Sequence, residues 1–405
     1  QTAAGPVQPT SPAMIAEPND PCVNVSGRVT RQEWRPDSNS FFRIIPDAPV
    51  AHAVIEMREE DTLFDDSYGT HLTDSNGGYS FSFCDDDGIL DDELEIYVRL
   101  RAELKDNSFT VVEVEDSSYI DEVYEFDSNV IDTEGGNYTI NFVLDNEKSG
   151  IFNIADAVWQ AWSFWNESGG AVDDDSYFSE SAEVHWEAGY PDENSYYYSP
   201  WGEMTISSDS SDPDQWDDSV IMHEWGHMAD DEYGCDDNGG GDHSVDQKVD
   251  DPELAWGEAY PDYFQSAVRL SRNYTDAHWY LDVNGMGNVG KVNLETFDST
   301  RTDDKLSDLH EFSIAAMLWD LNDIQQDGRS RGGGGGTTAP YDRVAYGHAT
   351  FKRLYTHPTF ESNGDVWDDT CTSWVYLTSW RDIGLPTGRW RGNADSTWTG
   401  TGFDR

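Results

Sequence analysis

Lysine is scarce in this chain: six residues in 405, against 80 aspartates and glutamates. Arginine brings the basic total only to 24, and the formal net charge is −56. Such a charge repels phosphate backbones and anionic lipid, which excludes nucleic acid and acidic membrane surfaces as partners. It also destabilises a compact state unless cations screen it. The screening length shrinks from about 8–10 Å near physiological ionic strength to ~3 Å at 1 M salt. A lysine-poor, aspartate-rich composition is therefore that of a halophilic protein, suited to high salt or abundant divalent ions. Long apolar runs are missing too; none approaches the roughly eighteen residues of a membrane-spanning helix. No basic segment followed by an apolar one opens the chain, and "QTAAGPVQPTSPAMIAEPNDPC" reads as a mature terminus from which a secretion signal has gone.

Cysteine is also sparse. Cys22, Cys84, Cys235 and Cys371 include no C-x-x-C pair, and four cysteines permit three connectivities. Their spacing favours one bridge in each half, Cys22–Cys84 and Cys235–Cys371. Sequons at Asn24, Asn137, Asn166 and Asn273 fit a secreted glycoprotein. The even cysteine count, the sequons and the processed start agree on an extracellular protein.

Residues 1–20 carry four prolines and few bulky apolar side chains, so they read as an extended arm. An arm of that composition cannot fold on itself but can lie along an exposed sheet edge. We expect it to pack on another copy, making a homo-oligomer or open filament, or else on its own chain. From residue 21 to 147 the pattern is β-like. "VNVSGRVT", "VAHAVIEMR", "GGYSFSF", "ELEIYVRLRAEL", "FTVVEVE" and "NYTINFVL" alternate apolar and polar residues between Gly/Asp/Asn clusters, as an antiparallel sandwich requires. The pair "GRVT…DSNGGYSFSF" resembles transthyretin-like or carboxypeptidase-regulatory β-sandwich modules, which implies a spacer or packing role.

Residues 148–405 change character. "IFNIADAVWQAWSFWNE" is apolar almost all round and reads as a buried helix. Strand-like "AEVHWEAGY", "NSYYYSP" and "GEMTISS" precede a helix with Asp212 as N-cap, Pro213 at the first helical position and Gln215 completing a capping box. Further helices are expected at 252–271, 308–325, 341–356 and 367–383, and the five glycines 332–336 form a connector. Strands followed by helices make the fold class α+β.

The helix after Asp212 carries "HEWGH". His223 and His227 are i and i+4, so both imidazoles leave one face about a turn apart and can bind one zinc at ~2.0–2.1 Å. Glu224 beside them can reach a water on that metal, so H-E-x-x-H joins two ligands to a general base. Gly226 leaves room for backbone or substrate to approach. A third ligand must come from elsewhere. The longer H-E-x-x-H-x-x-G-x-x-H pattern is broken, with Asp230 and Tyr233 in place of its glycine and last histidine. Downstream, "GEAYPDYF" again sets two acids at i and i+4, Glu258 and Asp262.

That segment resembles the glutamate-ligand helix of the gluzincins, the thermolysin-like zinc metallopeptidases, whose motif is E-A-x-x-D. The resemblance implies Glu258 as third zinc ligand and Asp262 as hydrogen-bond partner of the non-ligating nitrogen of His223. Pro261 departs from a smooth helix and puts a kink there in question. "NSYYYSPWGEMTISSDSSD" resembles the family's edge strand, where peptide substrates add by β-augmentation; the backbone near Tyr197 and Tyr198 would then hold substrate. "LHEFSIAAMLWDL" resembles the helix bearing the transition-state histidine, with His310 and Ser313 matching H-x-x-S. The alternative is that His310 merely occupies the first turn of a helix capped by Ser307. His243 in "GGGDHSVD" reads as a loop residue.

The resemblance implies a secreted zinc endopeptidase acting on protein or peptide substrates. Glu224 would be the general base, and His310 with an unassigned tyrosine would stabilise the oxyanion. The aspartate-rich segments 85–93 and 230–242 carry oxygen donors for Ca2+ but lack EF-hand spacing, so they read as solvated acidic loops. The competing reading is a structural extracellular filament or surface-layer protein built on a zincin-fold domain. Such a protein would have no need of Glu224.

Overall fold

The computed structural model describes residues 22–38, 42–60, 66–84, 94–116, 122–168, 178–189, 194–234, 240–241, 243, 248–284, 288–297, 309–322 and 348–355. The arm 1–20 and its assembly role, the loop 85–93, Cys235, Cys371, Ser307, the glycines 332–336 and the 367–383 helix lie outside the described residues. Large β-sheets and helices make up the fold, in keeping with the α+β class. No helix among the described residues is long and apolar enough to cross a membrane.

The first sheet is built around β1 (Cys22–Pro36). It pairs antiparallel with β2 (Phe42–Pro49) and β5 (Gly78–Cys84), as expected. It also pairs with β10 (Gly136–Thr139) and β11 (Phe142–Val143), and these two pairings are parallel, so the sheet is mixed rather than antiparallel throughout. Strand β5 shows why its sequence makes a half-buried strand: Tyr79, Phe81 and Phe83 face the core while Ser80 and Ser82 face out. Cys22 and Cys84 stand opposite each other in the β1–β5 register and form a disulfide, the first of the two expected bridges.

The second sheet has nine strands. Its path runs from β4 (Asp66–Leu72) through β3 (Ala53–Glu59), β6 (Leu94–Asp106) and β7 (Phe109–Glu115) to β12 (Ala182–His185), β14 (Glu203–Thr205) and β13 (Tyr196–Tyr198). Short strands β8 (Glu125–Asp127) and β9 (Ile131–Thr133) also pair with β6. The sheet crosses the sequence boundary drawn at 147/148. Val112 and Val114 of β7 lie in parallel register with Ala182 and Val184 of β12, all four buried. A four-residue strand such as β12 gains its stability from neighbours on both sides, and one of those neighbours belongs to the β-rich half. The apolar core is correspondingly contiguous from Val23 to Phe351.

Helix α1 (Asn146–Glu167) starts where Asp145 accepts a hydrogen bond from Lys148 N at 3.2 Å, and it packs on β6, β7 and β1. Helix α2 (Asp218–Tyr233) begins later than the sequence suggested. Residues 214–216 make a single 3-10 turn, and Asp217, not Asp212, is the N-cap. The reason is local. Asp217 is extended (φ −106°, ψ 93°), which lets its carboxylate reach back to Ser219 N at 3.0 Å. Helix α3 (Pro252–Ser271) matches its expected span and stays continuous through Pro261. Two more helices cover Glu311–Asn322 and His348–Tyr355, inside the expected spans. A hairpin of β15 (Trp279–Asn284) and β16 (Asn288–Asn293) was not anticipated.

A buried polar network ties the two halves together. Arg31 of β1, 3% exposed, donates to Asn153 Oδ1 at 2.6 Å and to Asp156 Oδ2 at 3.0 Å. Asn153 in turn donates to Asp218 Oδ1 at 3.1 Å, and Tyr274 donates to Asp218 Oδ2 at 2.6 Å. Arg31→Ala would leave Asn153 Oδ1 enclosed without its donor, a loss of about 1–3 kcal/mol for a buried polar atom. Chemical denaturation in high salt should show a loss of stability in that range.

Candidate metal centre

Helices α2 and α3 cross at a contact that only glycine permits. A Cβ on Gly226 would lie 2.9 Å from Pro261 Cα and 3.0 Å from Pro261 Cβ. Pro261 therefore fills the room that Gly226 leaves, and the turn carrying His223 and His227 faces the turn carrying Glu258. Trp225, next to Gly226 in the chain, packs against Phe178 and against Phe264 of α3, with centroids at 4.8 and 5.3 Å.

The result is a tight triangle. His223 Nε2 and His227 Nε2 are 3.1 Å apart, and each is 3.4 Å from Glu258 Oε2. A zinc ion bound tetrahedrally at ~2.0–2.1 Å spaces its ligand atoms about 3.3–3.4 Å apart, so the three donors fit that ion. Two neutral imidazoles and one carboxylate also suit zinc chemically. His223 Nδ1 contacts Asp262 Oδ1 at 3.0 Å, the arrangement expected to fix the tautomer that turns Nε2 toward a metal. All of this is enclosed: His223, Glu224 and Glu258 are under 10% exposed.

Burial governs the electrostatics. It would lower His223 and His227, but hydrogen bonds and negative charge from Asp262 and Glu258 outweigh it and hold both imidazoles above the usual histidine range. Burial would raise Glu258, yet the two histidines hold it well below the usual carboxylate range. Glu224 goes the other way: burial raises it, and the nearby histidines only partly offset the rise. Its carboxylate accepts a hydrogen bond from the backbone N–H of Tyr197. That places the edge strand β13 beside the candidate base. Tyr197 also donates its hydroxyl to Asp231 Oδ2 at 2.7 Å, while Tyr196 and Tyr198 are exposed.

His310 directly precedes the helix Glu311–Asn322. It is fully buried, its ring rests on Phe297 at 5.2 Å, and its carbonyl accepts from Ser313 N at 3.0 Å. His243 and Glu311 also come near the cluster. His243 Nε2 lies 3.4 Å from Glu258 Oε2 and 3.8 Å from Glu311 Oε2. Burial, then the charges of Asp262 and Glu258, push Glu311 up to about 9, so it holds its proton at neutral pH. Tyr280 completes the wall with its ring 6.0 Å from His223. Sequence signals for these three were thin: a histidine in a glycine-rich loop, an acid next to a more suggestive histidine, and a tyrosine in an unforeseen hairpin.

The sequons divide. Asn24 and Asn137 are exposed cross-strand neighbours, with Asn24 Nδ2 donating to Asn137 Oδ1 at 3.0 Å, and Asn273 is exposed at φ 62°. Asn166 is different: its Oδ1 accepts from Phe178 N at 2.8 Å and its Nδ2 is shut off from solvent, so a glycan has no room there.

No family model matches the chain. It is similar to an uncharacterised protein of Archaeoglobus fulgidus, 27% identical over 137 residues, or 33% of this chain and 35% of that protein. The chain thus spans about a third of that relative's length. Among solved structures, a 9R-lipoxygenase from Cyanothece aligns with 38% of this chain and 25% of its own at 12% identity; its TM-score of 0.17 carries no argument about the fold.

Two outcomes follow from the geometry. Gly226→Ala must push α3 away from α2, and overpacking of this kind costs about 1–3 kcal/mol. Denaturation should register that loss, and competition with a chelator should show weaker zinc retention. The second outcome concerns pH. Imidazoles raised above the ordinary value of about 6.5 stabilise the metal-free fold fully below that value, and the contribution fades as pH rises through the raised one. Metal must displace those protons, so zinc affinity should climb with pH across the same window. Calorimetry in buffers of different ionisation heat should detect proton release on binding.

Proposed function

We propose that this chain is an extracellular zinc metallopeptidase. The observation that carries the reading is the triangle of His223, His227 and Glu258 at tetrahedral-edge spacing, with Glu224 in the same helical turn. Zinc held there supplies an electrophile that acidifies water and polarises a carbonyl oxygen.

The remaining work falls to residues of the chain. Glu224, raised by burial yet hydrogen-bonded to the strand, is suited to take a proton and later hand it to a leaving amine. Asp262 keeps the His223 ring in one tautomer. The terminal strand β13 pairs, among the described strands, only with β14, which leaves its other edge for an extended peptide. At the turn from β13 to β14 the rings of Tyr198 and Trp201 lie 4.9 Å apart, and Trp201 is 73% exposed, so apolar peptide side chains would find a partner there. Beside the His310 named from sequence, His243 and protonated Glu311 are further candidate donors to the oxyanion, His243 lying 3.4 Å from Glu258 Oε2. The disulfide and exposed sequons support secretion.

Glu224→Gln is the direct test. The variant should keep one zinc per chain by metal analysis, because all three ligands remain. Hydrolysis of unfolded casein in high salt should fall by roughly 10²–10⁴-fold, the usual contribution of a general base. Full activity in that variant would overturn the mechanism. Zinc binding without hydrolysis in the parent protein would favour a structural role for the fold.

A further inference from the structure

A second acidic cluster lies at the other end of the metal helix and plays no part in the chemistry above. Asp212 and Asp214 precede α2, and Asp282 lies on β15. Each brings one ligand oxygen within 4.8 Å of those of the other two. Asp214 is 3% exposed. Its Oδ2 accepts from Ser195 Oγ at 2.6 Å, but its Oδ1 is enclosed with no hydrogen-bond donor. A buried carboxylate oxygen without a donor needs either a cation or a proton.

Among the described residues, no basic group acts on the first two acids. The charges acting on Asp214 are those of Asp212, Asp217 and Asp282, and those on Asp212 are Asp282 and Asp209. After burial, this repulsion pushes Asp212 up to about 6 and Asp214 well above the carboxylate range. The neighbouring Asp217 is already satisfied: it caps α2 through Ser219 N at 3.0 Å and accepts from Val283 N at 2.8 Å. Arg269 acts on Asp217 rather than on the trio. The three carboxylates converge across two elements, one at the start of α2 and one on the hairpin.

We propose that Asp212, Asp214 and Asp282 hold a divalent cation of the hard, oxygen-seeking class, Ca2+ in preference to Mg2+, which fastens the start of α2 to β15. The donors are all carboxylate oxygens, with neither the nitrogen nor the sulfur ligands that draw zinc. Calcium accepts irregular oxygen sets, whereas magnesium demands near-ideal octahedral geometry. Such an ion would sit apart from the zinc ligands yet fix the helix that carries two of them. It lies outside the aspartate-rich loops that the sequence alone suggested for calcium.

The test uses the full chain loaded with zinc, in molar NaCl so that diffuse binding to the acidic surface is suppressed. Calorimetric titration with CaCl2 should show one saturable site, and thermal unfolding should shift upward with CaCl2 but not with MgCl2 at matched ionic strength. Asp282→Asn and Asp214→Asn should each weaken calcium binding at least 10-fold, whereas His223→Ala should leave it intact. If the trio is neutralised by protons instead, the two Asn variants will be more stable than the parent with or without calcium, and the proposal fails. It also fails if saturable calcium binding persists in the Asp214→Asn/Asp282→Asn double variant, or if magnesium and calcium shift unfolding equally.

Discussion

The near-contact of α2 with α3 at Gly226 and Pro261 is the constraint on which the candidate centre rests. Two helices normally keep axes about 8–10 Å apart, at a distance set by the side chains between them. Here one helix contributes no side chain and the other a compact ring. The closeness lets short side chains from both helices meet: Glu258 can touch both histidines, and Asp262 can touch His223 from behind. Proline inside a helix removes one backbone donor and so carries a cost. That cost is offset by apolar packing on either side, where Trp225, Phe178, Phe264 and Tyr260 fill the space around the crossing.

The crossing concentrates acids as well as histidines. Glu224, Glu258, Asp262 and Glu311 are all under 10% exposed, and among them the imidazoles are the groups able to carry positive charge. Their responses sort them by role. Glu258, against two histidines, is held ionised. Glu224 is raised, and Glu311 is raised further, to about 9. Three different protonation behaviours thus emerge from the same residue type, separated by what each side chain touches. On a chain of net charge −56 the pattern matters, because general surface repulsion would push all carboxylates the same way.

What could be read in advance was what depends on local spacing. His223, Glu224 and His227 belong to one turn of helix, and Glu258 and Asp262 to another, so i to i+4 geometry alone aligned each set. The span 252–271 expected for α3 also matches the structure, which starts it with Asp251 as cap and Pro252 in the first turn. Errors arose where tertiary contacts overrode local signals. The capping pattern at Asp212 was spent on a 3-10 turn, because extended Asp217 starts the true helix while holding Val283 N. His243 reads as a plain loop residue, and it comes within 3.4 Å of Glu258 from a loop with no periodicity to place it. The parallel join of β7 to β12 was equally invisible, since both strands are ordinary apolar runs and nothing local specifies a partner some seventy residues away.

That join changes what the β-rich half is for. A spacer domain would meet the helical half through a small, wet interface. Here a sheet strand, a contiguous apolar core and the Arg31–Asn153–Asp218 bonds all cross between them. Arg35 adds to the same junction: it pairs with Glu33 and lies over the Tyr274 ring at 3.9 Å, and that tyrosine bonds Asp218 in the first turn of α2. Arg269 reinforces the turn from α3, donating to Ser219 Oγ at 3.1 Å and to the Trp279 carbonyl at 2.5 Å. The first turn of α2 is therefore gripped by β1, α1, α3 and β15 at once. Its histidines, one to two turns further on, inherit that rigidity, and a site assembled from buried like charges needs such a frame because the carboxylates by themselves would spread apart.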